Sequence, residues 1–480
     1  MGLVAGLACS PEDTRIVVCD ADTGEVVRHG QAPHPAGEGA PEAPESWLHS
    51  LGEAAGGGVL EDVTAIGVAA GATGVVTLSA EGTPVRPAQP DDGRAQPAAL
   101  ALVDALGGRA AWAEAVGCVP QPGQPVTQLR RLAREEPEDA RRATAVLQAQ
   151  DWLVWQLLGR PQRWTTDRGG ASATGYWSAG SEAWRYELAE LAIGHPVALP
   201  DVLGPAEAAG RTPEGLLISA GTGELMAAAL GLGLGPGDAV VSLGASGSVC
   251  AVHEEALTDP SGTITSYADA TGRHLPIVRT LNATRVLRGT ADLLGRDLAG
   301  LSELALASTP GAHGLVFLPY LAGERTPELP HTAGTLAGLR RESMHPEHLA
   351  RAAFEGMLCG LADAADVLRK RGVRIERVFL LGAAAELPAV QALAPALFEA
   401  PVVIPAPADY TALGAARQAA WALGAAEGAA WAGEPPAWPA APGETLEPGE
   451  DAAARGTAVR AQYTAVRDQT HPGAFDGLGG

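Results

Sequence analysis

Residues 215–252 read GLLISAGTGELMAAALGLGLGPGDAVVSLGASGSVCAV, and the fold turns on how this stretch is parsed. Leu216 to Ser219 is a short apolar run of strand length, followed by the loop Gly221-Thr222-Gly223, which presents Glu224. Leu225 to Leu232 is rich in Ala and Leu, both strong helix formers. Gly233, Gly235, Pro236 and Gly237 end that helix, and Ala239 to Leu243 starts a second strand. This strand runs into Gly244-Ala245-Ser246-Gly247-Ser248, a turn of bare backbone and small hydroxyls. Such a turn can bring amide N–H groups close to phosphate oxygens. With a carboxylate on the neighbouring turn, the pair suits phosphoryl transfer to an alcohol. The same residues also make an ordinary glycine-rich α/β crossover, and from this stretch alone both readings stay open.

Composition narrows the field. A chain of 480 residues with 46% hydrophobic and 19% charged residues is globular, with room for two or three domains. The net charge is −23 and Lys370 is the sole lysine, which argues against nucleic acid and anionic membrane as partners. It also excludes a P-loop, since Lys370 sits in Arg369-Lys370-Arg371 and not in Gly-Lys-Ser/Thr. The five cysteines are scattered, with no Cys-x-x-Cys pair, which suits a reducing, cytoplasmic setting and offers no metal framework. No apolar window is long enough for a membrane span and no signal peptide is evident.

Residues 3–28 alternate as an antiparallel meander, with Ala21-Asp22-Thr23-Gly24 as a hairpin turn. Ala65 to Ala70 reads as a buried strand ending in Gly71-Ala72-Thr73-Gly74. Residues 98–116 and 126–158 read as mostly helical, with Trp152 and Trp155 as core. Beyond Gly235-Pro236-Gly237 the pattern restarts: strands at 239–243 and 248–252, helices at 284–295, 346–371 and 388–399, strands at Val378–Leu381 and Val402–Pro405, and a helix near Leu413–Leu423. Strands followed by helices, twice over, predict two α/β domains at 1–235 and 236–432. Residues 433–450 read as a loose linker, 452–468 as a last helix, and the rest of 433–480 as tail.

These motifs together resemble the FGGY carbohydrate kinases, and among them the xylulokinases. The similarity runs from residue 1 to about 424 through AGLACSPEDTRIVV, TTDRGGASATGYWS, SAGTGELMAAALG, VSLGASGSV, FLPYLAGERTPELP and FLLGAAAELPAV. It implies a two-domain sugar-kinase/actin (ribonuclease H-like) α/β fold, with a catalytic cleft between the domains. It implies ATP and Mg²⁺ as cofactors, a small sugar, most simply a pentulose, as substrate, and a homodimer as an assembly left open. Carried over residue by residue, Glu224 stands at the catalytic base. Gly244, Ala245, Ser246, Gly247 and Ser248 match the second phosphate turn, and Gly382 and Ala383 the adenosine motif. Thr73, Gly74 and Asp92 match sugar contacts, and Asp167 and Arg325 are read as structural.

Several matches are altered. The family's metal-positioning aspartate is Ala8 here, while the basic residue further along persists as Arg15. The aspartate-asparagine of the base motif is Glu224-Leu225. The Gln-His-Gly-Met stretch is Ala72-Thr73-Gly74-Val75, the Trp-Asn-Asp-Thr stretch is Pro90-Asp91-Asp92-Gly93, and Ala383 replaces a glycine. No residue is assigned as a metal ligand, although Glu12 or Asp13 could stand in for the missing carboxylate. The resemblance thus implies a sugar kinase, with a nucleotide- or sugar-binding pseudo-kinase, or a purely structural partner of an active kinase, as the alternatives.

Overall fold

The alternation at the N-terminus forms a meander. Strands Leu3–Cys9, Asp13–Asp20 and Val26–Pro33 pair antiparallel in sequence order. Asp20 closes the second turn, its Oδ1 accepting from the N–H groups of Asp22 (3.0 Å) and Thr23 (2.8 Å). The computed structural model describes residues 2–34, 43–71, 74–88, 95–429, 432–439, 443–476 and 478. They fall into two units: Met1–Leu234 with Ser266–Leu275 and Ala408–Ala441, and Gly235–Thr265 with Pro276–Pro407 and Pro442–Gly480.

In the first unit, strand Val63–Ala70 joins the meander parallel to Leu3–Cys9, with Ala8 opposite Ala69 and Cys9 opposite Ala70. It is buried at every residue except Thr64, as expected of a parallel strand covered on both faces. On its other side lie Leu217–Ser219 and then Thr222–Gly223, the latter opposite Ala69 and Ala70. The helix Tyr410–Ala426 packs on this sheet at very short range, because Gly6 has no side chain: a Cβ there would lie 1.8 Å from the Ala412 carbonyl oxygen. On the opposite face Trp47 and Trp152 meet edge to face at 5.9 Å, both fully buried, as expected of core tryptophans.

The second unit repeats the topology. Gly237–Leu243 pairs antiparallel with Gly247–Ala251 and parallel with Ile375–Leu381, which pairs in turn with Val402–Pro405. The helix Pro346–Lys370, nearly all buried along its length, fills the core through Phe354, Met357 and Leu358. The C-terminal helix Glu450–Thr470 adds Val459 and Tyr463 to the same core. Among the described residues no helix is long and apolar enough to cross a membrane.

Both stretches read as mostly helical are so, with interruptions, and the linker expectation is corrected. Residues 98–116 form two helices, Gln96–Leu106 and Arg109–Val116, because Gly107 and Gly108 both take positive φ between them. The run 126–158 is broken into helices Pro125–Glu135, Pro137–Arg142 and Ala149–Leu157 around the strand Ala145–Gln148. Pro137 cannot continue the preceding helix, and Ala145–Gln148 pairs with Val75–Leu78. Within the expected linker, Gly443–Leu446 adds an antiparallel edge strand to Val402–Pro405. Backbone pairing makes that strand, and its four residues carry no alternation that a sequence reading could find.

Candidate active site

Glu224 is the first residue of the helix Glu224–Leu232, directly after the two-residue strand Thr222–Gly223. Its backbone position is set by that strand's parallel pairing with Ala69 and Ala70. A second tie lies behind it. Thr222 Oγ1 donates to Asp167 Oδ2 (2.7 Å), and Asp167 caps the helix Arg168–Ala173 by accepting from the N–H groups of Gly169 (3.0 Å) and Gly170 (2.7 Å). Asp167 is buried, and its desolvation pushes the carboxyl up to about 6. A clamp linking two turns is the structural role expected of it.

The electrostatics around Glu224 suit a proton acceptor. Burial raises its carboxyl above the ordinary carboxylate range; Arg15 pulls it down, and Glu12 and Asp409 push it up again. Arg15 stands opposite Ala8 in the antiparallel register. Its guanidinium bridges Asp13 (3.2 Å) and Asp409 (3.2 Å), and Asp409 caps the helix Tyr410–Ala426 through the Ala412 N–H (3.0 Å).

Position 8 offers nothing to a metal. Ala8 is 1% exposed and belongs to the apolar cluster of Val4, Ala412 and Ala416. Asp13 is held by Ser10 Oγ (2.7 Å), Gln31 Nε2 (2.6 Å) and Arg15, which orient its carboxylate. Glu12 is exposed on the turn. Mg²⁺ is ordinarily held by one or two carboxylates besides phosphate oxygens. Among the described residues no group of three or more His, Cys, Asp or Glu is placed to hold a metal ion. Position 8 itself therefore supplies no ligand for Mg²⁺.

The second unit carries the nucleotide-motif residues. Gly244, Ala245 and Ser246 are exposed between strands Gly237–Leu243 and Gly247–Ala251. The carbonyls of this turn point to the start of the helix Thr284–Leu294: Thr284 N–H donates to Gly244 O (2.9 Å), Ala283 N–H to Ala245 O (3.2 Å), and Thr284 Oγ1 to Leu243 O (2.8 Å). With the carbonyls engaged, the N–H groups of Gly244, Ala245 and Ser246 have no acceptor among the described residues. Unpaired N–H groups on a small-residue turn are donors from which phosphate oxygens can accept. Gly247 is held in close quarters, since a Cβ there would lie 2.6 Å from Leu361 Cδ2 and 2.7 Å from Thr280 Oγ1. Ser248 lies in the strand, opposite Ser242 and Arg279.

Gly382 (φ 105°) follows Ile375–Leu381, and a Cβ there would lie 2.8 Å from the Leu243 carbonyl oxygen. Exposed Gly382 and Ala383 thus sit against the phosphate turn, so the structure brings the two nucleotide motifs together. In the sugar motif Gly74 is described, with φ 96°, just before Val75–Leu78; Thr73 and Asp92 lie outside the described residues. Arg325 meets Glu324 through its backbone N–H. Buried Glu324 accepts from the N–H groups of Leu281 (2.6 Å) and Arg325 (2.7 Å) and from Asn282 Nδ2 (2.9 Å).

Sequence reading missed Gly71, which lies against Glu224, and Thr284 with Ala283, which orient the phosphate turn. Gly71 was visible as the first residue of a small-residue turn. Thr284 carried no signal beyond its place at a helix start.

Two profiles of the FGGY family of carbohydrate kinases match the chain, the N-terminal domain over residues 3–231 and the C-terminal domain over residues 239–423. The chain is 41% identical over 432 residues to a xylulose kinase of Streptomyces coelicolor, spanning 87% of each. It is 39% identical over 468 residues to a xylulose kinase of Streptomyces rubiginosus, covering 93% of this chain and 92% of that one. The crystal structure of a xylulose kinase from Bifidobacterium adolescentis superposes with a TM-score of 0.89 at 35% identity, over 97% of this chain and 99% of that one. A Plasmodium falciparum glycerol kinase crystallised with ADP shares the fold at a TM-score of 0.84 and 15% identity, over 98% of each chain.

Proposed function

This chain belongs to the FGGY family of carbohydrate kinases, and we propose that it transfers the γ-phosphoryl group of ATP to a hydroxyl of a pentulose such as D-xylulose. The observation that carries the proposal is the placing of Glu224 at a strand-to-helix turn, with its carboxyl raised by burial. A carboxylate so tuned accepts a proton more readily near neutral pH than an exposed one. The sugar hydroxyl oxygen attacks the γ-phosphorus, a new O–P bond forms, the bond to ADP breaks, and the hydroxyl proton passes to Glu224. The free N–H groups of Gly244, Ala245 and Ser246 receive phosphate oxygens, and Gly382 and Ala383 lie beside the nucleotide. Thr73, Gly74 and Asp92 are proposed on the sugar side. No step is routed through Mg²⁺, because position 8 supplies no ligand for it. The reaction is proposed for the cytoplasm, with homodimer as the assembly.

Ala8 favours a second reading, a nucleotide- or sugar-binding protein with impaired turnover. One experiment separates the two: coupled ADP release with ATP, Mg²⁺ and D-xylulose beside other pentuloses and polyols, with calorimetry of ATP binding. Turnover that Glu224→Ala abolishes supports the kinase. ATP binding without turnover on any sugar refutes it and leaves the binding protein.

A further inference from the structure

Position 71 lies beside position 224 by register. Thr222 and Gly223 pair parallel with Ala69 and Ala70, so the next residue of each segment, Glu224 and Gly71, emerges side by side. Gly71 stays tied to the sheet, its N–H donating to the Cys9 carbonyl (3.4 Å). A Cβ at Gly71 would lie 2.4 Å from Glu224 Oε2, 2.8 Å from Glu224 Cβ and 3.4 Å from Glu224 Cδ. All three of its nearest neighbours belong to one side chain. Gly71 is not among the glycines with positive φ, so its backbone would accept another residue. What forbids a side chain there is Glu224.

We propose that Gly71 is the positioning residue of Glu224, an empty side-chain place at the strand end that admits the glutamate and sets where its carboxylate stands. The inference rests on the reading of Glu224 as the base. Glutamate is one methylene longer than the aspartate the family motif carries, and the extra length must go somewhere. Here it lies along the bare Cα of Gly71. Rotation of the Glu224 side chain carries Oε2 and Cδ away from a Cβ at position 71, while the 2.8 Å approach to Glu224 Cβ, which no rotation moves, needs a small parting of the two segments. Rotation takes the carboxylate away from its place among Arg15, Glu12 and Asp409, the charged groups that act on it. A displacement of about 1 Å costs on the order of 10²-fold in rate.

The test compares wild type, Gly71→Ala, Glu224→Asp and the double variant in two readouts. The first is the titration of residue 224, followed by NMR in protein ¹³C-labelled at side-chain carboxyls and assigned with Glu224→Gln. The second is kcat for ADP release with D-xylulose. Gly71→Ala is expected to move the Glu224 titration toward the ordinary carboxylate value and to lower kcat by about 10²-fold. Glu224→Asp is expected to lower kcat alone but to raise it in the Gly71→Ala background, since aspartate removes the 2.4 Å contact and leaves only the 2.8 Å approach of Cβ. Should Gly71→Ala fail to fold, recovery of folding by Glu224→Gly, which removes all three contacting atoms, supports the same coupling, and no recovery overturns it. An unchanged titration in Gly71→Ala, or rate losses that simply multiply, also overturns the proposal. Full turnover in Glu224→Gln would instead overturn the base assignment, while the titration still decides the packing.

Discussion

Replacing Asp363 by alanine should loosen the C-terminal helix Glu450–Thr470 from the second unit. Asp363 sits on the core helix Pro346–Lys370, with its side chain 5% exposed. Its Oδ1 takes Arg460 Nη2 (3.0 Å) and its Oδ2 takes Arg467 Nη1 (2.6 Å), and both arginines come from the C-terminal helix. Burial pushes the carboxyl up while the two guanidiniums pull it down. Removing one member of a buried ionic group costs about 3–5 kcal/mol, because the remaining charges stay desolvated. The lower end applies here: Arg460 keeps Asp366 (2.5 Å) and the Leu397 carbonyl (3.1 Å), and Arg467 keeps Asp468 (2.8 Å). At about 2–4 °C per kcal/mol for a unit of this size, the melting midpoint should fall by roughly 6–12 °C. Calorimetric melting, with limited trypsin cleavage at Arg460 and Arg467, reads both the loss and its location. The control is Asp451→Ala, whose partner Arg455 lies 3.6 Å away and whose side chain is 94% exposed; it should change stability by less than about 0.5 kcal/mol. Asp363→Ala that melts within about 1 °C of wild type and keeps its trypsin resistance would refute the reasoning.

Three further outcomes follow from the same geometry. Gly247→Val should weaken ATP binding in calorimetry through about 1–3 kcal/mol of overpacking, as its side chain meets Leu361 and Thr280 beneath the phosphate turn. Gly6→Ala should prevent folding of the first unit or lower its melting midpoint strongly, because a methyl 1.8 Å from the Ala412 carbonyl meets backbone and not a movable side chain; circular dichroism melting checks this. The buried carboxyls of Asp151 and Asp167 stand at about 7 and about 6, above the ordinary value of 3.8. Between those limits the folded chain holds protons that the unfolded chain has released, so these groups make stability fall as pH rises from about 4 to 7. Asp151→Asn should flatten that decline in denaturant titrations.

Part of each sheet was legible because those strands are apolar and punctuated, while Ala208–Arg211, Ile264–Ala268 and His274–Thr280 were not read. The meander at residues 3–28 and the run Ala239–Leu243 are patterns that backbone pairing alone satisfies. Glu224 and the turn Gly244–Ser248 were legible for a similar reason: motif residues sit in order along the chain. Within the mostly helical residues 126–158 the strand Ala145–Gln148 escaped, because its partner is Val75–Leu78, far off in sequence. Gly443–Leu446 escaped for the same cause, its pairing with Val402–Pro405 being invisible in composition.

By itself the sequence determined the doubled α/β pattern, the family resemblance, the absence of a Walker lysine and the altered positions, Ala8 and Glu224 foremost. Each follows from residue identity and order. Only the tertiary structure decided that Asp13 is tied to Gln31 across the strand pair, that Gly71 is empty because Glu224 lies over it, and that the last helix is bolted to Asp363. Those facts depend on which side chains share a space, and parallel register and burial bring together residues that the chain keeps tens to hundreds of positions apart.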